Sequence, residues 1–131
     1  MGLTLSLLPG TFTICRLDPE ANIPDWAKPG GFISVTRTSD ELSIVCTGVN
    51  VPEGVKADRG WRCFKVEGPL DLSLTGVLAS LANPLAEARI NIFALSTFDT
   101  DYLLVKEEKV SHAAEVLIRA GHRLSSAERS E

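Results

Sequence analysis

No Cys-x-x-Cys pair occurs in the 131 residues, and the three cysteines, Cys15, Cys46 and Cys63, are odd in number. Neither a zinc ribbon nor a disulfide framework fits that count and spacing. Basic residues are in the minority, 13 Lys and Arg against 17 Asp and Glu, for a formal charge of −4. A nucleic-acid binder shows a basic stripe, and this chain has none. No apolar run approaches the ~20 residues that span a bilayer. The N-terminus lacks a basic n-region and soon meets Pro9-Gly10, so it reads as a strand and not as a signal peptide. Catalytic signatures are missing too: no Gly-x-Ser-x-Gly elbow, no Walker loop, no Gly-x-Gly-x-x-Gly and no His-Glu-x-x-His. His112 and His122, at the start and end of a helical stretch, read as surface residues. The expectation is a cytoplasmic protein that is not an enzyme and holds no metal or cofactor. Neither nucleic acid nor a membrane is an expected partner.

What is present is an ordinary globular composition. Hydrophobic residues make up 44% and charged ones 23%, enough for a compact domain and too apolar for disorder. Thr4-Leu5-Ser6-Leu7 and Thr11-Phe12-Thr13-Ile14-Cys15 alternate with period two around the Pro9-Gly10 turn. Residues 18–31 hold Pro19, Pro24 and Pro29 and read as a loop anchored by Ile23 and Trp26, with one helical turn begun at Pro24. Residues 32–37 and 42–46 are β-branched runs around a polar tip, the pattern of a hairpin. Trp61 to Val66 alternates again and stops at Gly68-Pro69.

Leu74, Val77, Leu78 and Leu81 recur at i, i+3, i+4 and i+7 and predict an amphipathic helix. Pro84 lacks the amide that would bond to Ser80, so that helix is expected to kink or end around Asn83. Residues 90–95 are nearly continuously apolar and read as a covered strand, followed by Tyr102 to Val105. Val110, Ala113, Ala114, Leu117 and Ile118 form a second helical stripe, closed by Gly121 as a C-cap.

A shift of 60 positions lays Ile33-Ser34-Val35-Thr36 on Phe93-Ala94-Leu95-Ser96, Leu42-Ser43-Ile44-Val45 on Tyr102-Leu103-Leu104-Val105, and Pro9 on Pro69. Such self-similarity marks a duplicated supersecondary unit. The halves are residues 1–60 and 61–124, with a polar tail at 125–131 that is expected to fray. The second half reads strand, helix, strand, strand, helix and a last short strand, the split βαβ arrangement of an α+β fold. The first half is degenerate in helices.

Gly68-Pro69-Leu70-Asp71-Leu72-Ser73-Leu74-Thr75-Gly76-Val77-Leu78, then Ala88 to Phe93, then Ser96-Thr97-Phe98-Asp99-Thr100-Asp101-Tyr102 resemble an ACT domain. The pattern is similar to the regulatory repeats of aspartokinases and to cytosolic arginine sensors, and residues 36–46 resemble the companion repeat of small bacterial stand-alone ACT proteins. The resemblance covers residues 3–124. It implies a ferredoxin-like fold of two tandem βαββαβ repeats, with a mostly antiparallel sheet and helices on one face. It also implies a regulatory module that senses a small molecule, often an amino acid, and works through a separate effector protein as a monomer or homodimer. The alternative is a module of the same fold that binds no ligand and serves protein interaction or oligomerisation.

An amino acid presents a carboxylate and an ammonium. The carboxylate is served by free amides where a strand turns into a helix. Residues 72–77 supply such a turn, and Gly76 lets a ligand approach the backbone closely. The candidates there are Asp71, Leu72, Ser73, Leu74, Thr75, Gly76 and Val77; equally, Asp71, Ser73 or Thr75 serves only to cap the helix. The ammonium wants a carboxylate, and Asp101, at the start of a strand, is the choice over Asp99 at the hairpin tip. Thr97 and Phe98 complete the tip. Ser43 and Ile44 of the first half close the pocket between the repeats, or are plain strand positions.

Overall fold

A computed structural model describes residues 2–71 and 73–125. Leu72 and the tail beyond Ser125 lie outside the described residues. The chain divides into two compact units, Gly10–Trp61 on one side and Met1–Pro9 with Arg62–Glu131 on the other.

In the unit Gly10–Trp61 the strands are β2 (Phe12–Leu17), β3 (Ile33–Arg37), β4 (Leu42–Thr47) and the first part of β5 (Lys56–Val66). They pair antiparallel in the order β3-β4-β2-β5. Leu17 to Phe12 runs against Leu42 to Thr47 without a break. Between Phe12 and Ile14 the partner strand carries one extra residue, a bulge with Gly60 at φ +81°. The Trp61 indole N–H donates to Asp58 Oδ1 across it at 3.1 Å.

Alternation puts Cys15, Leu42, Ile44 and Cys46 on one face, and all four are buried. Among the described residues of this unit there is no α-helix to cover that face. The proline-rich segment does, through a single 3-10 turn at Asp25–Ala27 that buries Ala27 and lays Trp26 and Ala21 against the strands. The Arg37 guanidinium pins the segment by donating to the carbonyls of Pro19 and Ala21. Cys15 and Cys46 hydrogen-bond to each other, and that bond drives their thiols apart, Cys15 up and Cys46 down.

The other unit holds β1 (Thr4–Leu7), the end of β5, β6 (Phe93–Ser96), β7 (Asp101–Lys106) and β8 (Arg123–Leu124), in the order β6-β7-β5-β1-β8. β1 runs antiparallel to β5 and parallel to β8, so the first strand of the chain sits between one strand from the middle of the sequence and one from its far end. Two helices, α1 (Val77–Glu87) and α2 (Val110–Arg119), cover one face. Leu81 and Leu85 from α1 and Ala113 and Leu117 from α2 meet Leu5, Phe64, Val66, Leu103 and Val105 in a single apolar cluster. The protein is α+β and ferredoxin-like, and in this unit β1–β5 and β6–β7 are antiparallel while β1–β8 is parallel.

Three local expectations are corrected. Residues 90–95 do not all form a strand: the chain leaves α1 through Arg89 at φ +62°, two residues past its last residue Glu87, the Ile90 N–H returns to Leu85 O at 3.0 Å, and β6 begins at Phe93. Pro84 does not end α1, which runs through it to Glu87. His122 is not a surface residue but 3% exposed. The last two share a cause. Pro84 leaves the Ser80 carbonyl without its helical donor, and His122 Nε2 lies 3.0 Å from that oxygen.

The ring's other nitrogen, Nδ1, accepts the Leu3 N–H at 3.1 Å, which puts the proton on Nε2 and makes it the donor to Ser80. His122 reaches this position because it follows Gly121, at φ +103°, and its own N–H bonds back to Leu117 O at 3.1 Å. That six-to-one closure folds the residue after the glycine onto the helix.

Candidate functional site

The turn that precedes α1 is built by Asp71. Its Oδ1 accepts both the N–H and the Oγ–H of Ser73, each at 2.9 Å, and its carbonyl accepts the Leu74 N–H at 3.0 Å. The two Ser73 bonds hold the Asp71 carboxyl below its ordinary range, so it stays ionised. Asp71 does not cap α1. The cap position is Gly76, at φ +79°, with no side-chain hydrogen bond to the helix. The first helical bond is Ser80 N–H to Gly76 O at 2.9 Å, and the amides of Val77, Leu78 and Ala79 lie ahead of it, where a helix offers its N–H groups and the positive end of its dipole.

Facing this turn is the tip between β6 and β7. Ser96 and Asp101 are a directly opposed pair, and Ser96 Oγ donates to Asp101 Oδ1 at 2.6 Å. Thr97 and Thr100 close the tip, with Thr97 N–H and Oγ1 both directed at Thr100 O, at 2.8 and 3.1 Å. Two bonds fasten the tip to the rest of the unit. The buried Thr100 hydroxyl donates to Val66 O at 2.6 Å, and the Leu70 N–H donates to Asp99 O at 2.7 Å. Gly68 allows this approach, since a Cβ there would lie 3.1 Å from Asp99 O and from Leu70 N.

Between turn and tip is a small open cleft of about 200 Å³, below the ~300–1,000 Å³ of pockets for drug-sized ligands. It is lined by Asp71, Leu74, Val77, Thr97, Phe98 and Asp101, all singled out in the sequence, and by Leu70, Ser96, Asp99 and Thr100. Ser73, Thr75 and Gly76 are exposed on the turn beside it. Ser43 and Ile44 stand on β4 in the other unit, Ser43 half-buried and Ile44 wholly within that unit's core. Sequence reasoning passed over Leu70, Ser96 and Thr100. The signal for Thr100 was present: a threonine between two aspartates at a tip is a residue whose hydroxyl can tie that tip down.

Residues 56–119 match the family model described as ACT domain. The chain carries an ACT domain. ACT domains are regulatory, and the cleft lies inside the matched segment of this one. A second model, of an N-terminal domain, matches residues 10–54. This ACT protein is 45% identical to protein Atu0741 from Agobacterium tumefaciens, whose crystal structure superposes with a TM-score of 0.90 over 95% of this chain and 93% of that one. It is 39% identical over 67 residues to the human cytosolic arginine sensor for mTORC1, subunit 1. That match takes in 50% of this chain and 20% of the sensor, so the chain spans about a fifth of the length of such relatives. The crystal structure of aspartokinase alpha and beta subunits shares the fold, with a TM-score of 0.64 at 16% identity over 92% of this chain and 98% of that one.

Proposed function

We propose that this ACT protein is an amino-acid sensor and that the cleft at the start of α1 holds the ligand. The observation that carries the reading is the pairing of unlike ends in one cleft. An uncapped helix N-terminus offers amides to a carboxylate, and Asp101, set by Ser96 on the facing tip, offers an acceptor to an ammonium. Three carboxylates line the cleft, Asp71, Asp99 and Asp101, with no basic side chain among the lining residues. That balance favours a ligand with a second positive charge on its side chain, in line with the arginine named for the sensor relative. The bound state is then read by a separate effector protein.

A thermal-shift screen of the twenty amino acids tests the reading, since a ligand at 100 times its Kd adds about 2.7 kcal/mol of stability. Arginine is expected to raise the melting temperature, and citrulline, its neutral isostere, to bind ten- to a hundredfold more weakly. Asp101→Asn keeps the shape, removes the charge, and weakens binding by roughly 1.5–3 kcal/mol. Glu107→Gln, on the exposed turn after β7, changes nothing. Equal affinity in wild type and Asp101→Asn would show the ammonium to be elsewhere.

A second reading rests on the apolar rim of the cleft, where Phe98 is 79% and Leu74 50% exposed. If no amino acid shifts the melting temperature, that rim marks a protein-interaction module that has kept the fold without a ligand.

A further inference from the structure

Cys15 and Cys46 lie on neighbouring strands of the unit Gly10–Trp61. Cys15 is opposite Ile44 and Thr13 is opposite Cys46, so the two thiols are diagonal neighbours on one face, two residues out of register. They are 2% and 0% exposed and hydrogen-bond to each other. Diagonal Cα atoms of an antiparallel pair are ~7–8 Å apart, while a disulfide wants ~4.4–6.8 Å. An S–S bond here would drag the backbone, and both cysteines are free. A single ion placed between the sulfurs adds its own two bonds to the bridge and crosses the diagonal without that movement.

The surroundings narrow the choice of ion. Ala27, Leu42, Ile44 and Val51 share the cluster, with Trp26 packed against it, and none of these side chains is a metal ligand. Among the described residues no group of three or more His, Cys, Asp and Glu could hold an ion together. Structural zinc and iron–sulfur sites take four protein ligands and catalytic zinc three, so those are excluded. Two thiolates in apolar surroundings suit a soft closed-shell cation that is satisfied by two sulfurs in line, and copper(I) is the biological one. Arg59, held by its bonds to Val51 O and Pro52 O at 3.2 and 3.0 Å, places a positive charge that acts on Cys15.

We propose that Cys15 and Cys46 bind one copper(I) ion as a two-coordinate dithiolate. Each thiol gives its proton to solvent as its sulfur takes up the metal, which leaves a complex of charge −1 that Arg59 offsets. The way in is the proline-rich segment over this face. Arg37 fastens it at Pro19 and Ala21, and Thr47 Oγ1 donates to Pro29 O at 3.1 Å near its other end. Its one regular element is the 3-10 turn Asp25–Ala27, so it can lift while the β2–β4 ladder stays closed.

Anaerobic titration of the full chain with copper(I) buffered by bicinchoninate tests this. The wild type is expected to withdraw one equivalent from the chelator, with two sulfur neighbours in X-ray absorption at the copper edge. Cys15→Ser and Cys46→Ser should each lose more than roughly a hundredfold in affinity, the upper end of what even a supporting residue costs a metal site. Cys15→Ala and Cys46→Ala repeat the test should a buried serine unfold the strands. Cys63→Ala, in the other unit, is expected to bind as the wild type does. Arg37→Ala frees one end of the segment and should load faster at the same stoichiometry, and an unchanged loading rate overturns that route. A wild type that takes no copper, even when refolded from urea in its presence, overturns the proposal, as does a Cys15 or Cys46 variant that keeps wild-type affinity.

Discussion

The link between Pro84 and His122 makes a quantitative claim about two residues that look unrelated in the sequence. His122 Nε2 supplies Ser80 O with the donor that Pro84 lacks, and Nδ1 takes the Leu3 N–H. His122→Ala in the wild type orphans both backbone groups, each of them part-buried. A fully buried group left unpaired costs about 1–3 kcal/mol, so for these two the loss is at most roughly 2–6 kcal/mol. In a Pro84→Ala background residue 84 regains its N–H and sits four residues after Ser80 within α1. His122→Ala then orphans only the Leu3 N–H, and its cost falls by about 1–3 kcal/mol. The four proteins form a double-mutant cycle, measured by urea denaturation followed by far-ultraviolet circular dichroism. A cost of His122→Ala that agrees between the two backgrounds within about 0.5 kcal/mol would refute the link, because independent sites add to that accuracy.

Two other changes test the packing that holds the cleft. Gly68→Ala sets a Cβ 3.1 Å from Asp99 O and Leu70 N and 3.3 Å from Thr100 Cβ, which forces the tip to move. It is expected to destabilise by roughly 1–3 kcal/mol in thermal unfolding and to weaken any ligand of the cleft, and an unchanged melting temperature would sink the account. Burial pushes the Cys63 thiol up from 9.0 to about 12, so between those values the folded protein keeps a proton that the unfolded chain has lost. That stability is whole below pH 9 and drains as pH rises toward 12, at about 1.4 kcal/mol per unit. Cys63→Ala should flatten this limb in denaturation series from pH 8 upward, and an identical alkaline slope would count against the buried thiol as its source.

Where one periodicity governed a segment, the sequence was legible. Phe12–Leu17, Leu42–Thr47 and Asp101–Lys106 alternate and are strands, and Val110–Arg119 carries its stripe and stops at Gly121. Errors arose where a distant group changed the local balance. Pro84 breaks a helix by local rules, yet here a ring from residue 122 replaces the missing donor. Leu74 and Leu78 fit the helical stripe but are half exposed or nearly so, because α1 starts only at Val77 and buries the Val77, Leu81 and Leu85 side. Most lining residues of the cleft were readable because a turn and a tip announce themselves. Thr100 offered a local signal, a threonine between two aspartates, but the carbonyl it binds lies 34 residues earlier, beyond the reach of local pattern.

The position of β1 has a consequence for how the molecule is made. Leu5 pairs with Val66, 61 residues on, and Thr4 with Arg123, 119 residues on. At a synthesis rate of ~5–20 residues per second, the opening strand waits roughly 6–24 s for its last neighbour to leave the ribosome. The ladders within Gly10–Trp61 have all their strands long before that. Translation thus completes an inserted unit first, while the strand ahead of it has β5 on one side and keeps its other edge open until Arg123 and Leu124 are made. The acidic cleft belongs to the portion of the protein that is finished last.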